Sequence, residues 1–185
     1  MVQEKRMSCR LRLMENNLMM TSSNIILLLT SFSSALIAGL FYAYTCSVNP
    51  GLGRLPDAGY IAAMQSINKA ILNPIFYFSF FGTLIFLPVC AYLHYGQHDP
   101  APFWLLISAL IIYLTGVFGV TAIGNIPLNE ALDRFNLLSA SSREITAQRE
   151  MFEKRWNNLN SIRTVSSSIT ILLVIIACLC KQKQV

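Results

Sequence analysis

The chain has 185 residues, of which 54% are hydrophobic and only 12% are charged, about half the ~25% charged content usual in soluble domains. That composition excludes an ordinary soluble enzyme. It also removes the nucleic-acid reading of the net charge of +5, because the basic residues either flank apolar runs or alternate with acidic ones. Four apolar stretches, 25–45, 75–95, 103–123 and 164–180, lie close to the ~20 residues a helix needs to cross a bilayer. Lipid leaves backbone groups no partners but one another, so these stretches are expected to be helices. The predicted fold is all-α, an integral membrane four-helix bundle with short amphipathic cap helices in the first and third connections. The expected layout is a basic tail over 1–23, a four-span domain over 24–181 and a short tail over 182–185.

Lys5, Arg6, Arg10 and Arg12 precede the first span, and Lys181 and Lys183 follow the last. Basic residues beside spans favour the cytoplasmic side. Both termini are therefore expected in the cytoplasm, in a multi-pass protein of a bacterial plasma membrane. The apolar run after the tail is too long for a cleaved signal, so it reads as a retained signal-anchor. Five cysteines, at 9, 46, 90, 178 and 180, form no C-x-x-C pair. A thiol-redox role thus lacks its motif.

In the first span Ala35, Gly39 and Ala43 recur every four residues, a spacing that predicts close packing against another helix; Thr115 and Gly119 predict the same in the third. The run from Asn49-Pro50-Gly51 to Pro56-Asp57 predicts an end to the first helix and a new one capped by Asp57. Over 60–72, Ile61, Met64, Ile67 and Ile71 fall at helical spacing beside a stripe of Gln65, Asn68 and Leu72, which predicts an amphipathic helix on the membrane face. Asn73-Pro74 then opens the second span. The turn at 95–102 follows, where His94 and His98 are four residues apart but lack a third metal ligand other than Asp99. No metal site is expected there, with both histidines at the water interface.

In the third connection Pro127 predicts a kink or break. If helix resumes beyond it, Asn125, Asn129 and Asp133 share one face. Ser141-Ser142-Arg143-Glu144 has the form of a capping box and predicts a polar helix running into the fourth span. On it Trp156, Asn160, Arg163 and Ser167 form one stripe descending into the bilayer, expected to face the bundle interior. An even number of crossings puts the first and third connections on one side, so the polar residues of both gather at one end. There a cation ringed by amides can hold an anion or an enolate oxygen, and Trp156 offers a flat surface to an aromatic ligand. The competing reading makes the same residues clamps between helices.

Asn49-Pro50-Gly51-Leu52, Met64-Gln65-Ser66-Ile67-Asn68, Asn125-Ile126-Pro127-Leu128-Asn129 and the run from Trp156 through Asn160 to Arg163-Thr164 together resemble the signature of the anthrone-oxygenase-like family of small four-helix membrane proteins. The resemblance covers nearly everything from about residue 24 onward. It implies oxidation of an anthrone to an anthraquinone by O₂ without metal, flavin or haem, so no cofactor is expected. Such chemistry needs a carbanion or enolate that is stabilised and then donates to O₂. In those terms the candidate catalytic residues are Arg163, Asn125, Asn129 and Asn160 around the oxyanion, with Asp133 as base and Asp57 in second place. The candidate substrate-binding residues are Trp156, Gln65, Asn68, Tyr42 and Tyr44. The expected partners are a small lipophilic ligand and membrane lipids, not nucleic acid, with the oligomeric state left open. The rival function is a non-enzymatic membrane protein that binds a lipid or quinone-like molecule or assists a membrane complex.

Overall fold

In the computed structural model the backbone is described for residues 2–182 and side chains for 22–180. The basic side chains of the two tails and Cys9 lie outside the described residues. Seven α-helical segments follow in chain order: α1 Val2–Ala43, α2 Asn49–Leu52, α3 Asp57–Ala70, α4 Pro74–Leu93, α5 Ala101–Ile112, α6 Ile126–Asp133 and α7 Ser142–Gln182. Among the described residues there is no strand. Four continuous helical rods are long and apolar enough to cross a membrane: Ser22–Leu52, Pro74–Leu93, Ala101–Asp133 and Ser142–Cys180. The protein is a multi-pass membrane protein of the all-α class.

Two of these rods are longer than the sequence predicts, for one physical reason. The first does not end at Asn49-Pro50, nor the third at Pro127. Each passes its proline after a stretch of wider, π-helical turn, Tyr44–Val48 in one case and Thr121–Asn125 in the other. The residue just before each proline reaches five residues back: the Asn49 amide donates to the Tyr44 carbonyl and the Ile126 amide to the Thr121 carbonyl. An α-helical turn would set the proline ring against the carbonyl four residues earlier. Widening the turn relieves that clash, and such turns are frequent at functional sites. A further π-helical stretch, Tyr113–Gly119, lies between α5 and the second of these.

The remaining boundaries follow local chemistry. Asn73 caps α4 by accepting from the amides of Ile75 at 3.0 Å and Phe76 at 3.1 Å, and Pro74 occupies the first turn, where no amide is needed. The capping box forms: the Ser141 amide and hydroxyl each donate to Glu144 at 2.7 Å. Asp57 behaves differently from expectation. It is the first residue of α3 rather than its cap, and its carboxylate reaches across to α7, accepting from Thr146 at 2.6 Å and Arg149 at 2.9 Å. Gly96, at φ +70°, turns the chain between α4 and α5.

The bundle core joins Ile37 and Phe41 of α1, Phe80 and Leu87 of α4, Leu106, Tyr113 and Val117 of the third rod, and Val174 of α7. Tyr113 ties two rods by donating to the Phe80 carbonyl at 2.7 Å. The small-residue stripe is not part of this core. Ala35, Gly39 and Ala43 are exposed, and nothing lies within 4 Å of where a Gly39 side chain would begin. Thr115 is also exposed. The inward face of α1 carries Thr30, Ser33 and Ser34 instead. Two of these hydroxyls are satisfied on their own helix, Thr30 by donating to the Ile26 carbonyl at 2.7 Å and Ser33 to the Thr30 carbonyl at 3.2 Å. The close helix approach lies at Gly116 and Gly124, where an added side chain would meet Ser166 and Leu159 of α7.

At one end the bundle is covered by a cap. The apolar face of α3, with Tyr60, Ile61 and Met64, packs on Leu132, Phe152 and Trp156 in a second core. Arg149 pins this cap. It donates to Glu153 at 2.7 Å, to Asp57 at 2.9 Å and to the carbonyls of Leu55 at 2.7 Å and Gly53 at 2.9 Å. The hydrogen bond from Thr146, followed by that from Arg149, holds the Asp57 carboxyl below its usual range.

Candidate functional site

Under the cap, where the two π-helical turns face α7, lies a cavity of about 210 Å³. Its walls are mostly aromatic and aliphatic, among them Phe41, Tyr44, Phe76, Tyr77, Phe80 and Trp156, and its polar groups are Asn68, Thr121, Asn125, Asn129, Asn160 and Arg163. The predicted stripe on α7 turns inward as a unit: Trp156, Asn160, Arg163 and Ser167 are all buried. Helical spacing alone aligns them, since α7 runs without interruption through this region. The turns opposite deliver the rest, Tyr44 from the first rod and Thr121 and Asn125 from the third.

Arg163 dominates the electrostatics. The residue is 6% exposed, and its one side-chain hydrogen bond among the described residues runs from Nη2 to Asn160 Oδ1 at 3.1 Å. The guanidinium sits 4.4 Å from the centre of the Phe41 ring and 5.4 Å from that of Trp156, contacts worth about 0.5–2 kcal/mol each. Among the described residues no carboxylate pairs with it. Burying a charge without a counter-ion is costly enough that natural proteins usually supply a partner. Here the adjoining groups are amides, rings and open space.

The amides fall into two groups. Asn160 is committed to structure, donating to Thr45 Oγ1 at 3.0 Å and to the Phe41 carbonyl at 3.3 Å. Asn129 accepts from the Trp156 indole at 2.9 Å, which fixes the plane of that ring. The others are open. Asn68 Nδ2, Thr121 Oγ1, both side-chain polar atoms of Asn125, and Arg163 Nε are buried without a protein hydrogen-bond partner, and all four residues line the cavity. Each such atom costs about 1–3 kcal/mol if nothing meets it. The cavity therefore concentrates unmet donors and acceptors on its walls.

Several predicted site residues lie elsewhere. Asp133, the first choice of base, pairs with Lys69 at 2.7 Å and is 47% exposed; it ends α6 and does not line the cavity. Asp57 is engaged with Thr146 and Arg149 in the outer cap. Gln65 acts as a clamp, donating to the carbonyls of Leu132 at 2.8 Å and Phe135 at 2.9 Å. Tyr42 is 60% exposed on the outer surface of its rod, whereas Tyr44 faces Trp156 with ring centres 5.4 Å apart. No carboxylate and no histidine lines the cavity. Of the two histidines of the opposite turn, expected at the water interface, His98 is exposed but His94 is buried and donates from Nδ1 to the Cys90 carbonyl at 2.7 Å. No cluster able to hold a metal occurs among the described residues.

Thr121 and Phe41 escape a reading of the sequence. Phe41 looks like any other apolar residue of its span. Its carbonyl nonetheless accepts from Asn160 and from Thr164 at 3.0 Å, and its ring lies under the guanidinium.

A family model described as anthrone oxygenase matches residues 76–173, more than half of the chain. The chain belongs to the anthrone oxygenase family. The matched region contains nearly all of α4, the third rod and most of α7, and hence Thr121, Asn125, Asn129, Trp156, Asn160 and Arg163. Tyr44 and Asn68 fall outside it. No curated protein and no solved structure matches the chain.

Proposed function

We propose that the cavity binds a flat, lipophilic, anthrone-like substrate and promotes its oxidation by O₂ without a cofactor. The observation that carries this reading is the buried guanidinium of Arg163, which meets an aromatic cavity with no carboxylate to neutralise it. Such a cation favours a ligand that becomes an anion in place. An anthrone does so when a proton leaves its methylene carbon and the electron pair spreads onto the ketone oxygen. With no acidic side chain in the cavity, Arg163 would promote that ionisation by stabilising the oxyanion, and the proton would pass to water. The carbanion then gives one electron to O₂ and the two radicals join through a new C–O bond. Loss of the second methylene proton and cleavage of the O–O bond yield the second carbonyl and hydroxide, which takes up a proton. The balance is one methylene and one O₂ converted to one carbonyl and one water.

Supporting parts in this reading fall to other residues of the walls. Trp156, held by Asn129, and Tyr44 offer ring surfaces; Asn68, Thr121 and Asn125 offer hydrogen bonds to oxygen substituents. The orientation proposed with this reading places the cap on the non-cytoplasmic face, so that a cysteine at Ser142 reacts with an impermeant reagent in intact cells.

O₂ uptake by the purified protein in phosphatidylcholine vesicles, with anthrone as substrate, tests the reaction. Uptake should equal anthraquinone formed and should fall about 100-fold or more in Arg163→Lys, because an ammonium cannot reproduce the planar fork of donors. A second reading is favoured by the absence of any carboxylate or histidine from the walls: a protein that binds a quinone-like molecule without turning it over. Saturable binding of anthraquinone with no O₂ uptake above that of empty vesicles would select it.

A further inference from the structure

The walls of the cavity are not all inside the protein. Leu72, Tyr77, Phe81 and Ile126 line it, yet they are 62%, 40%, 43% and 45% exposed. All four are large and apolar or aromatic. They stand on two facing edges, with Leu72 at the corner between α3 and α4, Tyr77 and Phe81 on the outer face of the start of α4, and Ile126 at the start of α6. Residues that line a cavity and the protein surface together mark its mouth.

The helix arrangement explains why a mouth lies there. Nearer the middle of the bundle α4 and the third rod are closed by rings, with Phe118 5.8 Å from Phe80 and 6.4 Å from Phe81. Toward the cap they separate. There the last π-helical turn of the third rod, Thr121–Asn125, lies against α7. The wide turn before Pro127 thus places Asn125 inside and Ile126 outside. Neighbouring exposed residues of α4, Ile75 and Phe78, continue the same apolar surface. In a membrane-spanning rod that surface faces acyl chains, and water meets no apolar rim of this kind without cost.

We propose that the cavity is loaded sideways from the bilayer, through the cleft framed by Leu72, Tyr77 and Phe81 on one edge and Ile126 on the other. The ligand class is then a flat polycyclic molecule dissolved among lipid tails, and Leu72 and Ile126 select for it by controlling passage. The proposal rests on the cavity being a ligand site, as in the preceding reading, but not on turnover.

The test follows entry and exit of 9,10-anthraquinone, carried in phosphatidylcholine vesicles, by quenching of Trp156 in protein reconstituted in vesicles. Trp104, 62% exposed at the other end of α5, is replaced by Phe to leave one reporter. In Leu72→Phe with Ile126→Phe, association and dissociation should both slow about tenfold, falling together. In Ile126→Ala both should quicken. Unchanged rates in both variants, with quenching intact, would overturn sideways loading and leave the site standing. Absence of quenching in the Trp104→Phe parent would instead overturn the site, and the proposal with it.

Discussion

Two arginines of α7 show opposite uses of the same side chain. Arg149, in the cap, donates to two carboxylates and two carbonyls and lies 4.6 Å from the Tyr60 ring. Arg163, about four turns further along, has one amide oxygen, two rings and no counter-ion. The first has spent four of its five N–H donors on the protein and is a clamp. The second keeps donors unspent beside a cavity, an arrangement that fits the proposed ligand site and not a clamp. The surroundings repeat the contrast: Gln65 is used up between backbone carbonyls, whereas the side chain of Asn125, 1% exposed, has no hydrogen-bond partner among the described residues.

The sharpest way to break this comparison is to make the same conservative change at both positions. Arg163→Lys should reduce anthrone-dependent O₂ uptake per folded molecule about 100-fold, equivalent to ~2.7 kcal/mol of transition-state stabilisation, while thermal unfolding in detergent changes little. Arg149→Lys should do the reverse, because an ammonium cannot span two carboxylates and two carbonyls, and limited proteolysis should then cut within residues 53–57. Similar losses of turnover at both sites would dissolve the distinction.

A smaller effect is expected at Asn125. Asn125→Leu removes two unsatisfied polar atoms, so the free protein should be no less stable. Anthraquinone binding, followed by quenching of Trp156, should weaken about tenfold. A loss of stability with unchanged binding would make Asn125 structural.

What could be read in the sequence divides along the same line. The four spans, the cap over the first and third connections and the inward stripe from Trp156 to Ser167 were legible because α7 is a single regular helix whose spacing survives from end to end. The site opposite α7 was less so. Asn125 and Asn129 both line the cavity, but Asp133, one turn further along the regular helix α6, ends that helix and pairs with Lys69 instead. The π-helical widening let Pro50 and Pro127 stay within helices where a break was expected. The stripe of Ala35, Gly39 and Ala43 misled for another reason: small residues pack helices closely, but they also sit without penalty against lipid. Sequence spacing does not tell these apart.

That last point gives a packing test of intermediate size. Gly116→Val forces its side chain against Ser166 and should cost about 1–3 kcal/mol as overpacking. Gly39→Leu should stay within about 0.5 kcal/mol, as for other surface positions. Thermal unfolding of both in detergent checks the ranking.

The smallest expected effect is on acidification. Asp57 has its carboxyl held below the ordinary value by Thr146 and then by Arg149, so the stabilisation it gives is present above the unfolded value, near 3.9. It is lost as pH falls through the lower folded value. The cap should therefore loosen only below about pH 4, and proteolysis within residues 53–57 should rise there. Asp57→Asn should already show that susceptibility at pH 7, with turnover retained.

In the function proposed above, Arg163 is an unspent cation waiting for an anionic oxygen. The direct measurement is the ionisation of a bound hydroxyaromatic probe, 2-hydroxyanthraquinone, read from its visible absorbance in vesicles with and without protein. Bound beside Arg163, the probe should ionise at a pH about 1–3 lower than in vesicles alone, as expected for an acid near a buried positive charge. In Arg163→Gln that difference should disappear while Arg149→Gln retains it. Ionisation at the same pH in the parent protein and in Arg163→Gln, with the probe bound to both, would contradict the account.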